Sequence, residues 1–267
     1  AKNAIESEEL GKSDVTDFLA LSISSTDYIG HSFGPDSWET LDGYIKLDET
    51  MADLFTFLDQ QVGKDNYTVF LTADHSIANI PGFAKKHKLP GDNYDDGSLK
   101  NDILTCLSNN NLSPKLISAV SEYNIYFNHA IMDSLNVSFE KLSNTISSYL
   151  EKKPLILQVV ESRKAASAPL PQNLRERIVN GYTPQRSGDL MVVTKSGVVD
   201  GYATGTSHGV LYNYDAHIPL LFFGTGIKKG TMNGVTYMTD IAPTISTLLG
   251  IQMPSGSIGK PILEVLQ

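Results

Sequence analysis

At 267 residues, 41% hydrophobic and 19% charged, the chain has the composition of a globular protein, long enough for one large domain or two ordinary ones. A formal net charge of -9 without any basic tract argues against nucleic-acid binding through phosphate contacts, and no apolar run approaches the roughly 18 residues of a membrane span. The single cysteine, Cys106, excludes an internal disulfide and a thiolate zinc cluster, and it reads as a small buried apolar residue.

The opening "AKNAIESEELGKSDVTD" is polar, lacks an initiator Met and reads as the interior of a longer polypeptide. "DFLALSIS", Asp17 to Ser24, is an apolar run bounded by polar residues and predicts a buried strand. It runs into "STDYIGHSFGPDS", where Gly30, Gly34 and Pro35 break regularity. From Glu39 to Val62 the apolar positions Leu41, Tyr44, Ile45, Leu47, Met51, Leu54, Phe55, Leu58 and Val62 recur at three- and four-residue spacing. They predict a long amphipathic helix, with Gly63 as its stop. "YTVFLTA" predicts a second strand. Strand, helix, strand in that order predicts a parallel pair joined by a right-handed crossover. Over residues 84–183 charge and Asn content rise. "LKNDILTCLSNN" and "SFEKLSNTISSYLEKK" read as helices there, "EYNIYFNHAI" and "PLILQVVES" as strands. This texture predicts an inserted α+β lobe between the two parts of an α/β core, residues 1–83 and 184–267. In the second part "GDLMVVTKSGVV" and "HIPLLFFGTGI" read as strands. "TDIAPTISTLLGI" reads as a helix capped by Thr239 or Asp240.

The candidate chemistry lies in acids and histidines. Asp27 and His31 are four residues apart, so on one helical turn both side chains face one point. Asp74 and His75 follow a predicted strand, as Asp27 does. In open α/β sheets ligand chemistry gathers at the carboxyl ends of strands, so the two pairs are expected to meet in one crevice. His208 sits in "GTSHG", a polar loop where Gly205 and Gly209 permit close backbone approach. Each motif has an ordinary alternative when taken alone, a solvated helix face or a loop histidine. His87 in "KKHKLPG" reads as solvated surface, His129 as surface or packing, and His217 as a structural residue before a strand. Together Asp27, His31, Asp74, His75 and His208 supply three imidazoles and two carboxylates, a mixed set that suits zinc or a similar divalent ion. Five ligands are too many for one tetrahedral zinc and too few for two. A pair of ions would clamp an in-line displacement at phosphorus.

"SISSTDYIGHSFGPDS", "VFLTADHS", "GTSHG", "YDAHIPLLFFGTGI" and "TDIAPTISTLLGI" stand in the order and spacing of the alkaline phosphatase superfamily. Within it the chain resembles the phosphate-irrepressible alkaline phosphatases, in the branch shared with type I phosphodiesterases and nucleotide pyrophosphatases. The match covers nearly the whole chain, with the lobe matched loosely. The resemblance implies an alkaline-phosphatase-like, mostly parallel central sheet flanked by helices, with the N-terminal half of the fold absent. It implies that Asp27, His31 and His208 hold a zinc on the leaving-group side. Asp74 and His75 would hold a second zinc that activates the nucleophile. The reaction it implies passes through a covalent phosphoryl-enzyme that is then hydrolysed, with phosphate monoesters as substrates. A phosphodiesterase or nucleotide pyrophosphatase on the same scaffold is the alternative, and a non-catalytic metal-binding module the third reading. In the family the nucleophile and one further zinc-binding Asp come from an earlier half of the polypeptide. The expectation is therefore a C-terminal half with no catalytic nucleophile of its own, inactive alone, whose partner is the missing half. The resemblance implies a periplasmic or secreted location.

Overall fold

The computed structural model describes residues 1–201 and 204–266. In chain order it contains α1 (Lys2–Ser7), α2 (Ser25–Phe33), α3 (Trp38–Leu58), β1 (Thr68–Thr72), α4 (Pro81–Lys86), β2 (Asp92–Asn93), α5 (Asp96–Asn109), β3 (Ile117–Ser121), β4 (Asn124–Phe127), α6 (His129–Ser134) and α7 (Phe139–Leu150). These are followed by β5 (Ile156–Glu161), α8 (Gln172–Gly181), β6 (Leu190–Thr194), β7 (Val198–Val199), α9 (Asn213–Ala216), β8 (Leu220–Gly224) and α10 (Ile241–Leu249). The chain packs as two compact units, residues 1–24, 44–74 and 219–267 in the first, 25–43 and 75–218 in the second.

In the first unit β1 and β8 pair antiparallel, with Thr68 opposite Gly224 and Thr72 opposite Leu220. β8 alternates between half-buried and exposed positions, the period of a strand with one covered face. Phe55 of α3 meets Phe223 at 5.6 Å between ring centroids, and Phe70 meets Phe222 at 6.3 Å. The buried strand expected at Asp17–Ser24 is not formed. Among the described residues this segment joins no ladder, and Phe18 and Leu21 are 57% and 51% exposed. Its composition is that of a strand, but a strand also needs a neighbour to take its backbone groups. Here the link to β1 is a side-chain one, Phe18 stacking on Phe70 at 6.2 Å. The N-cap position of α10 is Asp240, one of the two residues expected, although its side chain makes no capping bond. The Asp240 carboxylate accepts the N–H groups of Tyr237 and Lys260, at 2.8 and 2.9 Å, and leaves the first turn of α10 uncapped by side chains.

The second unit is built on an antiparallel sheet in the order β3-β4-β6-β5. Its two faces follow the alternation of side chains along a strand. Val159 and Val192 point into one buried cluster with Leu99, Ile103 and Leu107 of α5 and Leu142, Ile146 and Leu150 of α7. Their neighbours Val160 and Val193 point into another, with Leu174 and Ile178 of α8. The leucines and isoleucine of α7 recur every four residues, which turns one stripe to the sheet. α5 starts at Asp95, whose carboxylate accepts the Ser98 N–H at 2.6 Å. Cys106 is fully buried in the first cluster, its thiol 3.5 Å from the Thr145 carbonyl, and burial pushes its pKa up. β2 and β7 form a short parallel pair.

Candidate metal centre

Three pieces of the second unit meet at the site: helix α2, the segment 75–80 after β1, and the loop 204–210. α2 is short but complete enough to set Asp27 and His31 one turn apart on one face. Between them Gly30 is buried, and a Cβ there would touch Ile77 at 3.0 Å, so the helix lies directly on the 75–80 segment. The loop 204–210 then locks onto the end of α2. Thr206 N–H donates to the His31 carbonyl at 3.1 Å, and His31 Nδ1 meets the Thr206 carbonyl at 3.0 Å. Gly205 makes this approach feasible, since a Cβ at that position would stand 2.4 Å from the His31 carbonyl oxygen. Gly209, with φ +103°, turns the chain in a region that side chains disfavour. Ala78 N–H donates to the Ser207 carbonyl at 3.3 Å and joins the two non-helical pieces.

The result is a carboxylate oxygen faced by three imidazoles. Asp27 Oδ1 lies 3.4 Å from His31 Nε2 and 3.8 Å from both His75 Nε2 and His208 Nε2. The ligand atoms of Asp27, His75 and His208 are all within 4.8 Å of one another. The rings of His75 and His208 are nearly parallel, 3.4 Å apart, and those of His31 and His208 are 5.0 Å apart. Carbonyl oxygens accept only, so the contact of His31 Nδ1 with Thr206 and that of His75 Nδ1 with Ser76, at 2.9 Å, place the proton on Nδ1 in both rings. That tautomer leaves each Nε2 with a lone pair directed at Asp27, the arrangement of histidines that bind metal through one nitrogen and a backbone acceptor through the other.

The donor set fits a divalent ion on two observations. Asp27 Oδ1 is buried and makes no hydrogen bond. With Nδ1 turned to a backbone carbonyl in His31 and His75, their Nε2 atoms face this oxygen, and a cation lying among these groups would offset the charge of the carboxylate. Donors held about 2.0–2.1 Å from a tetrahedral zinc stand about 3.4 Å apart, and Asp27 Oδ1 stands 3.4 to 3.8 Å from the three Nε2 atoms. The four side chains keep 26–38% of their surface, so the centre is partly exposed.

Asp27, His31, His75 and His208 are thus brought together. Asp74 belongs to the first unit and is exposed just beyond β1. Its neighbour His75 joins Asp27 and His208 in one mutually close group, which does not include His31. His87 is exposed beside Phe83, His129 is exposed against the Asp189 carboxylate at 3.0 Å, and His217 is exposed at the end of α9. One contributor carries no signal in the sequence. Asp215 of α9 is 4% exposed, and burial pushes its carboxyl up to about 6, opposed by the N–H groups of Val210 and Gly209 and by His75. A lone Asp before an apolar strand has no partner at fixed spacing by which to be noticed.

A cluster of imidazoles around a carboxylate, at helix and loop ends of an α/β scaffold, is a setting for metal-assisted ester chemistry. Residues 1–212 match the family model described as type I phosphodiesterase / nucleotide pyrophosphatase, and the chain belongs to that family. Over its whole length it is 41% identical to alkaline phosphatase PafA of Elizabethkingia meningoseptica, covering 49% of that protein. It is 40% identical to alkaline phosphatase PhoV of Synechococcus elongatus, covering 48%. The crystal structure of wild-type PafA matches it with a TM-score of 0.95 and 41% identity, over 100% of this chain and 51% of that one. The fold is accordingly alkaline-phosphatase-like, and the chain spans about half the length of the curated relatives it matches.

Proposed function

We propose that this chain is the metal-holding part of a zinc-dependent phosphoric-ester hydrolase that acts on phosphate monoesters. The observation that carries the reading is the buried, unbonded Asp27 Oδ1 facing the Nε2 atoms of His31, His75 and His208. The monoester preference is supported by the alkaline phosphatase names of PafA and PhoV. The family description supports a diester or nucleotide pyrophosphate alternative. Two zinc ions are inferred from the resemblance, one with Asp27, His31 and His208, the other with Asp74 and His75.

Bound ions of this kind would supply positive charge for the oxygens of the reacting phosphoryl group. The chain's own groups have simpler tasks. Asp27 offsets the charge that is gathered there. His31 and His75, fixed by the carbonyls of Thr206 and Ser76, present nitrogen lone pairs without rotating. The Gly205 and Gly209 loop lets His208 approach from a third direction.

The nucleophile is read as a contribution from the further length of polypeptide that the relatives possess. The 267-residue chain, loaded with Zn2+, is therefore expected to give no turnover of p-nitrophenyl phosphate. A zinc-dependent rate that disappears in His208→Ala would contradict this. In a polypeptide of the relatives' full length, p-nitrophenyl phosphate should be cleaved faster than bis-p-nitrophenyl phosphate, and the reverse order would favour the diester reading. We place the protein in the periplasm or outside the cell on the resemblance alone; recovery of the full-length protein only from the cytoplasmic fraction of its native cell would contradict that.

A further inference from the structure

We infer that Asp215 is a positioning residue that clasps together the two loops carrying His75 and His208. The inference rests on the reading of these histidines as metal ligands. Asp215 Oδ2 accepts the Val210 N–H at 2.7 Å, two residues beyond His208. The Asp215 backbone carbonyl accepts the Ser76 N–H, also at 2.7 Å, one residue beyond His75. One buried residue thus bonds both loops, each within two residues of a ligand. Two further hydrogen bonds between these loops are longer: Ala78 N–H to the Ser207 carbonyl at 3.3 Å and the Thr206 hydroxyl to the Asn79 carbonyl at 3.4 Å.

The clasp sets a distance that the site needs. His75 and His208 stack at 3.4 Å, and both present Nε2 to Asp27 Oδ1 at 3.8 Å. That equal reach depends on the register of two loops far apart in sequence. Neither loop is held by a regular strand ladder at these positions. Asp215 Oδ1 is buried and makes no hydrogen bond, so the carboxylate stays in place with half of its acceptor capacity unused. Its side-chain bond to the Val210 N–H falls at the loop of His208, where a lost acceptor would free the Val210 amide and the turn at Gly209.

The test uses the 267-residue chain and its D215A and D215N variants. In the metal-free proteins, hydrogen exchange at the Val210 amide should accelerate by about tenfold or more in D215A. Ser76 should stay protected, because its acceptor is backbone. In a Co2+ titration followed by the visible absorption of the bound ion, D215A should bind about tenfold or more weakly with an altered spectrum. D215N, which keeps an oxygen for Val210, should recover both affinity and protection to within about threefold. Parental Co2+ affinity, spectrum and Val210 protection in D215A would overturn the clasp, as would a folded D215N that binds as weakly as D215A. If D215A does not fold, D215N alone decides, and a tenfold loss there would overturn the proposal. Failure of the parent chain to bind Co2+ would overturn the metal reading instead, and Val210 exchange would still judge the clasp.

Discussion

Asp27 is the residue on which the site turns. A carboxylate oxygen that is buried, unbonded and ringed by imidazole nitrogens is one that a bound cation would stabilise. Its pairing with His31 is legible in the sequence, because a spacing of four on a helix brings two side chains to one point. The approach of His208 is half legible. The glycines around it announce a close backbone passage, but not what is passed. The structure supplies the answer, the carbonyl of His31. Gly205→Ala should therefore destabilise the chain by about 1–3 kcal/mol, because the added Cβ meets backbone that has no room to move, 2.4 Å away. Urea denaturation would measure it, and an unchanged midpoint would show that the loop is looser than this geometry. Asp215 is not legible at all. Its partners are the N–H groups of Val210 and Ser76, and backbone donors leave no mark in residue type.

At the level of elements, periodicity carried the helices. The stripe from Leu41 to Leu58 lies on α3, and the four-residue repeat of Leu142, Ile146 and Leu150 marks α7. Strand-like composition was less reliable. "YTVFLTA" and "HIPLLFFGTGI" contain β1 and β8, which pair with each other, whereas "DFLALSIS" joins no ladder among the described residues. Apolar content is local, but a ladder is a property of two segments, and the sequence names only one of them. Helix caps are local and can be tested locally. The hydrogen bonds from Ser98 hold the Asp95 carboxyl below its ordinary value of 3.8. A depressed value in the folded state means stability that is present above 3.8 and lost as the pH falls through the lower folded value. Asp95→Ala should cost about 1 kcal/mol at neutral pH, with the gap to the parent narrowing in acid. Thermal melts across pH would check this, and a gap independent of pH would show that the cap works without its charge.

At the scale of the whole molecule the two units differ in how they bury apolar surface. Both hydrophobic clusters found among the described residues lie in the second unit. In the first, Phe18, Leu21, Leu221 and Phe223 are exposed by half or more, as Tyr28 and Trp38 are in the second. Where such side chains form a contiguous patch, it is a place for more protein to pack. Such exposure agrees with a chain that spans about half the length of PafA and PhoV, and with our proposal that turnover needs the rest of such a polypeptide. The metal centre itself is drawn from the second unit, the one with the larger core, and so should form in this chain without that help. The direct test is anomalous diffraction at the zinc edge from crystals of the 267-residue chain soaked in Zn2+. The account predicts a peak about 2.0–2.2 Å from Asp27 Oδ1 and from Nε2 of at least two of His31, His75 and His208. A Zn2+-soaked crystal with no peak among these four residues would contradict it.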